Sequence, residues 1–132
     1  MIGSSVLHHL QLPLALEKMR DLLKPGGVLS FAEPNMLNPQ IFVQKNVGFV
    51  KRWAGDSPDE TAFVRWRFRA TLERIGFRDV VIAPFDWLHP ATPSFAIPMV
   101  RRVGRALEMM PGLREFAGSI CIRAVRPPAD NV

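Results

Sequence analysis

This sequence predicts an α/β fold, and three features of one stretch carry the prediction. Leu12, Leu16, Met19 and Leu23 recur at i, i+4, i+7 and i+11, the stripe of a helix with one buried face. Lys24-Pro25-Gly26-Gly27 then breaks the helix. Proline cannot continue it, the two glycines allow the positive φ of a tight exit, and Lys24 can face the negative end of the helix dipole. Val28 to Ala32 follows as a nearly unbroken apolar run, the pattern of a strand covered on both faces. In an open α/β sheet, ligands bind beyond the carboxyl ends of the strands, so Glu33, Pro34 and Asn35 fall on the functional edge.

The remaining elements follow in order. Met1 to Leu10 reads as the last residues of a strand and the loop beyond it. Pro13 suits the first turn of the helix, whose other faces carry Glu17, Lys18, Arg20 and Asp21. Between residues 34 and 56, Asn35, Asn38 and Pro39 indicate a loop. Ile41-Phe42-Val43 and Val47-Gly48-Phe49-Val50 are compatible with a short helix or lid. Ser57-Pro58-Asp59-Glu60 is a capping box for the next helix, with Val64, Phe68, Leu72 and Ile75 as its buried stripe and Gly76 as its stop. Phe77 to Ala83 reads as a strand. About thirty-five residues then precede the last strand, enough to need structure of their own. Pro84, Pro90, Pro93 and Pro98 keep the first half irregular; Met99, Val103, Ala106, Leu107 and Met110 mark a helix ended by Pro111-Gly112. Ser119 to Val125 is the last strand, with Cys121 as a small buried hydrophobe, and residues 127–132 form an expected disordered tail.

Composition bounds the function. Apolar residues make up 48% and charged ones 22% of the 132 residues, ordinary values for a soluble globular domain. No apolar run approaches a membrane span, and the amino terminus lacks the pattern of a signal peptide. A single cysteine excludes an internal disulfide and is too little for a cysteine metal site, so a reducing cytoplasm is the expected location. The net charge of +5 would suit an acidic partner. The basic residues are interspersed with acids and aromatics, which favours a solvated basic surface over a nucleic-acid site.

The order of these pieces closely resembles the later half of a class I S-adenosylmethionine-dependent methyltransferase, of the type 11-like group. The resemblance rests on Ser4-Ser5-Val6-Leu7-His8-His9-Leu10, the helix ending in Leu-Leu-Lys-Pro-Gly-Gly, and Glu33-Pro34-Asn35. It continues through Leu72-Glu73-Arg74-Ile75-Gly76-Phe77 and the strand Ser119-Ile120-Cys121-Ile122-Arg123-Ala124. It implies a partial Rossmann-like fold over residues 1–126, a mixed sheet with an antiparallel final strand beside Phe77 to Ala83, and residues 84–118 as a substrate cap. In the family, the glycine-rich cofactor loop and the acid that holds the ribose lie upstream of the Ser-Ser-Val-Leu-His-His segment, which here begins three residues after Met1. The resemblance therefore implies a carboxyl-terminal, substrate-side portion, inactive alone and binding S-adenosylmethionine weakly or not at all. With the preceding strands absent, Val28 to Ala32 would expose one edge to oligomerisation or to a partner chain.

Methyl transfer from a sulfonium needs alignment, plus a base only when the nucleophile must lose a proton. His8 and His9 are the best-placed titratable pair, and the resemblance puts Ser5, Val6 and Leu7 beside the cofactor. Glu33 could act as a base, bind a substrate polar group, or shape the following loop. Asn35 and Asn38 could orient a substrate, though asparagine beside proline is usually turn chemistry. Of Trp53, Trp66, Phe85 and Trp87, Trp66 fits core packing, and Trp87 is the candidate for an apolar pocket suited to a bulky or lipid-like small molecule. His89 is the only other histidine and no acidic cluster accompanies the pair, so no metal is expected. Arg101, Arg102 and Arg105 could grip a phosphate or meet an anionic membrane, with a solvated helix face as the plainer reading. The rival to a methyltransferase portion is a non-catalytic module that pairs with a chain carrying the cofactor-binding half.

Overall fold

The structure, a computed structural model, describes residues 1–46, 63–89 and 92–128. The strands β1 (Ile2–Ser4), β2 (Val28–Pro34), β3 (Arg78–Phe85) and β4 (Ser119–Val125) form one mixed sheet in the order β1-β2-β4-β3. β1 runs parallel to β2, while β4 is antiparallel to both β2 and β3. The final strand is thus inserted between two earlier ones, as expected. Because β2 and β3 point the same way, their carboxyl ends and the start of β4 meet at one edge. Phe85 pairs with Ser119 there, and Pro34 pairs with the same Ser119 from the other side.

Four helices accompany the sheet among the described residues: α1 (Leu12–Leu22), α2 (Pro39–Asn46), α3 (Arg65–Ile75) and α4 (Ile97–Glu108). Leu16 of α1 and Phe68, Leu72 and Ile75 of α3 bury against Leu29, Phe31, Val80, Ile82, Ile120 and Ile122 of the sheet. Leu12, Met19 and Leu23 pack partly buried against the same core, which confirms the α1 stripe. The strands alternate strictly: Leu29, Phe31 and Glu33 of β2 are buried and their neighbours only half so. The expectation that β2 is covered on both faces is therefore corrected. The opposite face carries small or polar residues such as Ser30, Ala32 and Cys121, and Cys121 is exposed rather than buried. An apolar run of small side chains cannot signal which face is covered.

Several local expectations change for identifiable reasons. Gly26 has φ +76° as the turn requires, but Gly27 is needed for space: a Cβ there would sit 2.7 Å from the Lys24 carbonyl oxygen. α3 starts at Arg65 with Val64 in extended conformation before it, so Val64 caps the helix instead of joining its stripe. The Ser57-to-Glu60 capping box lies outside the described residues, as do Val47 to Val50 and Trp53. Gly76 closes α3 in the left-handed region at φ +101°. Trp66 is 53% exposed and is not core. Pro84 lies inside β3, paired with Ile120; β3 is an edge strand, where a missing N–H is tolerated. Pro98 sits in the first turn of α4. Of the expected tail, only Pro127 and Pro128 are among the described residues.

The open edge is also relocated. β2 is bonded on both sides, with Ile2, Gly3 and Ser4 opposite Ser30, Phe31 and Ala32 on one side and β4 on the other. β1 is the edge strand, with no second neighbour among the described residues.

Two arginines replace Lys24 as the cations at the helix ends. Arg126 Nη1 donates to the carbonyl oxygens of Arg20 (2.9 Å), Asp21 (2.8 Å) and Leu23 (2.5 Å), where α1 has no intrahelical donors left. Arg20 in turn donates to the Ile75 carbonyl at the end of α3. One guanidinium thus joins β4 to α1, and another joins α1 to α3. Arg126→Ala should lower the unfolding free energy by about 1.5–3 kcal/mol, the range for hydrogen bonds to a charged group, read as a shift in the urea midpoint. An unchanged midpoint would show that water satisfies those carbonyls equally well.

Candidate functional site

The site is built where β1, β2 and β3 end. β1 leaves the sheet at Ser5, a non-glycine residue in the left-handed region (φ 52°) whose N–H donates to the Ala32 carbonyl at 2.8 Å. A single 3-10 turn, Leu7–His9, follows, with no side-chain cap from Val6 and no acid in its first turn. Glu33 at the end of β2 supplies both. Its Oε1 accepts the N–H of Val6 at 3.0 Å and of Leu7 at 2.8 Å, and its Oε2 meets His8 Nδ1 at 2.7 Å. Glu33 is 1% exposed, and His8 is buried as well. A buried carboxylate is tolerable only when its lone pairs are occupied, and here two amides and an imidazole occupy them.

This arrangement sets the imidazole. A carboxylate can only accept, so Nδ1 of His8 carries the proton and a neutral ring keeps its lone pair on Nε2. The His9 ring lies against it at a centroid distance of 4.1 Å. The His8–His9 pair and Glu33, proposed separately from the sequence, are therefore one cluster. Ser5 and Val6 lie exposed at its rim, whereas the Leu7 side chain is fully buried in the core. The amides of Val6 and Leu7 are already engaged by Glu33.

Asn35 is two residues beyond Glu33 and is also buried. Its Nδ2 donates to the carbonyls of Glu115 and Ala117, both at 2.8 Å, and its Oδ1 accepts the Leu37 N–H at 3.2 Å. The amide is consumed as a clasp between the end of β2 and the segment that leads into β4. Asn38 does similar work: Oδ1 accepts the N–H groups of Gln40 (2.9 Å) and Ile41 (3.1 Å) at the start of α2, and Nδ2 donates to Phe116 O at 2.8 Å. The Asn-Pro pair at 38–39, expected to lie in a loop, instead starts a helix, with Pro39 at its first position. The partners at 115–117 were not legible in the sequence, because nothing local links them to residue 35. Glu115 also faces Arg65 at 2.7 Å, and Phe63 bridges Asn35 in a short parallel pairing; no sequence signal marked either.

Trp87 stands just past β3 on the same edge, after Asp86, a second left-handed residue (φ 63°) whose Oδ1 accepts the Leu88 N–H at 2.8 Å. It is half-buried, with Gly104 of α4 pressed against it; a Cβ on Gly104 would meet Trp87 Cβ and Cδ1 at 3.2 Å. Trp87 lines two cavities. One of about 90 Å³ is lined by Asn38, Ile41, His89 and Ser119 at the sheet edge. The other, about 320 Å³, lies against α4 with Arg101 and Arg105 on its wall. Trp87 Nε1 is buried without a hydrogen-bond partner. Among the described residues no group of three or more His, Cys, Asp or Glu could hold a metal, and no helix is long and apolar enough to cross a membrane.

The fold is that of part of an S-adenosylmethionine-dependent methyltransferase: a partial Rossmann-like sheet with an antiparallel strand inserted last. It is similar to such an enzyme from Archaeoglobus fulgidus, at a TM-score of 0.57 and 17% identity over 94% of this chain and 57% of that one. A methyltransferase from Thermotoga maritima, described as a possible histamine N-methyltransferase, superposes with a TM-score of 0.64 at 14% identity, covering 95% of this chain and 54% of that one. The CurJ carbon methyltransferase gives 0.53 at 21% identity, over 96% and 28%. The chain thus spans little more than half the length of the first two structures. No family model and no curated protein matches the sequence.

The hydrogen bonds around Glu33 make an ordered expectation. Glu33→Gln keeps an acceptor for the turn amides but turns an NH2 donor toward His8 Nδ1, so the link survives only in the other tautomer of the ring. The change should cost about 1–3 kcal/mol of stability. Glu33→Ala strands both amides and the imidazole and should cost more, about 3–5 kcal/mol, by analogy with a broken buried pair. Urea unfolding of the two variants checks the order; equal losses would mean that the carboxylate matters only as volume.

Proposed function

We propose that this chain is the carboxyl-terminal, substrate-side part of a type 11-like, S-adenosylmethionine-dependent methyltransferase domain that acts on a small molecule. The observation that carries the reading is the His8–Glu33 pair at 2.7 Å, held at the carboxyl edge of a sheet of the methyltransferase order. The methyl donor supplies the activated methyl group. Among the described residues, Ser5 and Val6 offer that donor one wall; the Val6 and Leu7 amides are engaged by Glu33 and the Leu7 side chain is core.

The chain's part lies with the methyl acceptor. Glu33 is the positioning residue that holds the His8 ring, and Nε2 of His8 takes the proton from an attacking O–H or N–H. The His9 ring lies tilted against that ring, and Trp87 offers an aromatic wall in a separate cavity farther along the same edge, which suits a bulky acceptor. Asn35 serves this site from behind, by clasping the segment that leads into β4.

A second reading has its own observation. Among the described residues β1 is an open edge, with Ile2 87% exposed, which favours strand pairing with a chain that carries the other half of the domain, without chemistry of its own.

Calorimetric titration of the 132-residue chain with S-adenosylmethionine should show weak binding or none; tight one-to-one binding would overturn the division of labour proposed here. In an assembly that contains the donor-binding half, His8→Ala should lower methyl transfer by about 10²–10⁴-fold with donor affinity unchanged. Unchanged turnover would favour the non-catalytic reading.

A further inference from the structure

The periodic stripe of α4 does not face the core. Met99 is 66% exposed, Val103 and Met110 are half-exposed, and Ala106 is exposed with them. The only fully buried position of the helix is Gly104, held against Trp87. At 100° per residue, Met99, Val103 and Ala106 lie about 100–160° around the helix from Gly104, and so point away from the body. Phe95 before the helix and Met109 after it extend the same apolar surface, at 87% and 84% exposure. Scattered exposed hydrophobes need no explanation, but a contiguous helical stripe does.

Charge accompanies the stripe. Arg101, Arg102 and Arg105 are all exposed on the opposite flank of α4 from Val103, and Arg102 meets the apolar stripe beside Ala106. The one acid of the helix, Glu108, accepts the Asp86 N–H at 3.0 Å. Glu115, the next acid along the chain, faces Arg65. An apolar stripe with arginines along one flank is the design of a helix that lies in a bilayer interface, methylenes among acyl chains and guanidinium groups at phosphate level.

We infer that α4, with Phe95 and Met109, docks this chain on an anionic lipid surface. A second copy of this chain is the rival occupant, and the light-scattering arm of the test below separates the two. A chain that carries the other half of a methyltransferase domain is a poorer occupant than lipid. It would pair at β1, whereas α4 packs on Trp87 after β3, at the other end of the sheet. The inference stands whether or not the chain is part of an enzyme.

The test is flotation of the full chain with phosphatidylcholine vesicles and with vesicles of phosphatidylcholine and phosphatidylglycerol in equal parts; aggregated protein does not float. Binding should be at least about tenfold tighter to the anionic vesicles and should weaken with salt. The double variant Arg102→Ala with Arg105→Ala should lose about fivefold per arginine. Val103→Asp should abolish flotation while circular dichroism stays unchanged; if that variant misfolds, Met99→Ser should weaken flotation at unchanged helicity. Equal binding to both vesicle types, or none to either, overturns the inference. So does a dimer seen by light scattering that Val103→Asp dissolves, which would assign the stripe to a second copy.

Discussion

The carboxylate of Glu33 is the constraint on which the rest of this edge depends. It sits at the end of a central strand with almost no contact with water, and it must find partners inside the protein. The partners it finds are the first amides of a turn that has no cap of its own, and the ring of the histidine in that turn. One side chain thereby fixes the exit path of β1, the conformation of the 3-10 turn and the orientation of His8. The left-handed Ser5 is held in the same frame by its bond to the Ala32 carbonyl. Backbone strain of this kind persists only where the surroundings over-determine it.

The same logic governs the other polar residues of the edge. Asn35 and Asn38 spend their amides on carbonyls at 115, 116 and 117, which straps the approach to β4 onto the end of β2. Because β4 must thread between β2 and β3, its entry has to be positioned from both sides. Gly118 donates to Asp86 O at 2.7 Å and completes that positioning from the β3 side. At the far end of the sheet, Arg126 and Arg20 satisfy helix carbonyls. Part of the basic composition is therefore structural rather than a surface for polyanions.

α4 shows that an apolar period does not name its partner. Its period is as clear as that of α1, and in the sequence it marks a helix without saying what the stripe meets. α1 has the sheet beneath it; α4 reaches the body only through Gly104 and Trp87, with its stripe outward. Periodicity reports that a face is apolar and says nothing about what will cover it.

What the sequence determined by itself is what local chemistry dictates: α1 and its stop, the strands at 28 and 119, and the exit at Gly76. It also placed His8, His9 and Glu33 near one functional edge, because strand ends gather there in an α/β sheet. Only tertiary structure decided that these three touch, that Asn35 is a clasp, that β1 is the open edge, and that Cys121, Trp66 and the α4 stripe face outward. The reason is the same each time. Secondary structure follows from neighbours a few residues apart, whereas burial and hydrogen-bond partners are set by residues 25, 80 or 82 positions away, as between Glu33 and His8 or Asn35 and its carbonyls.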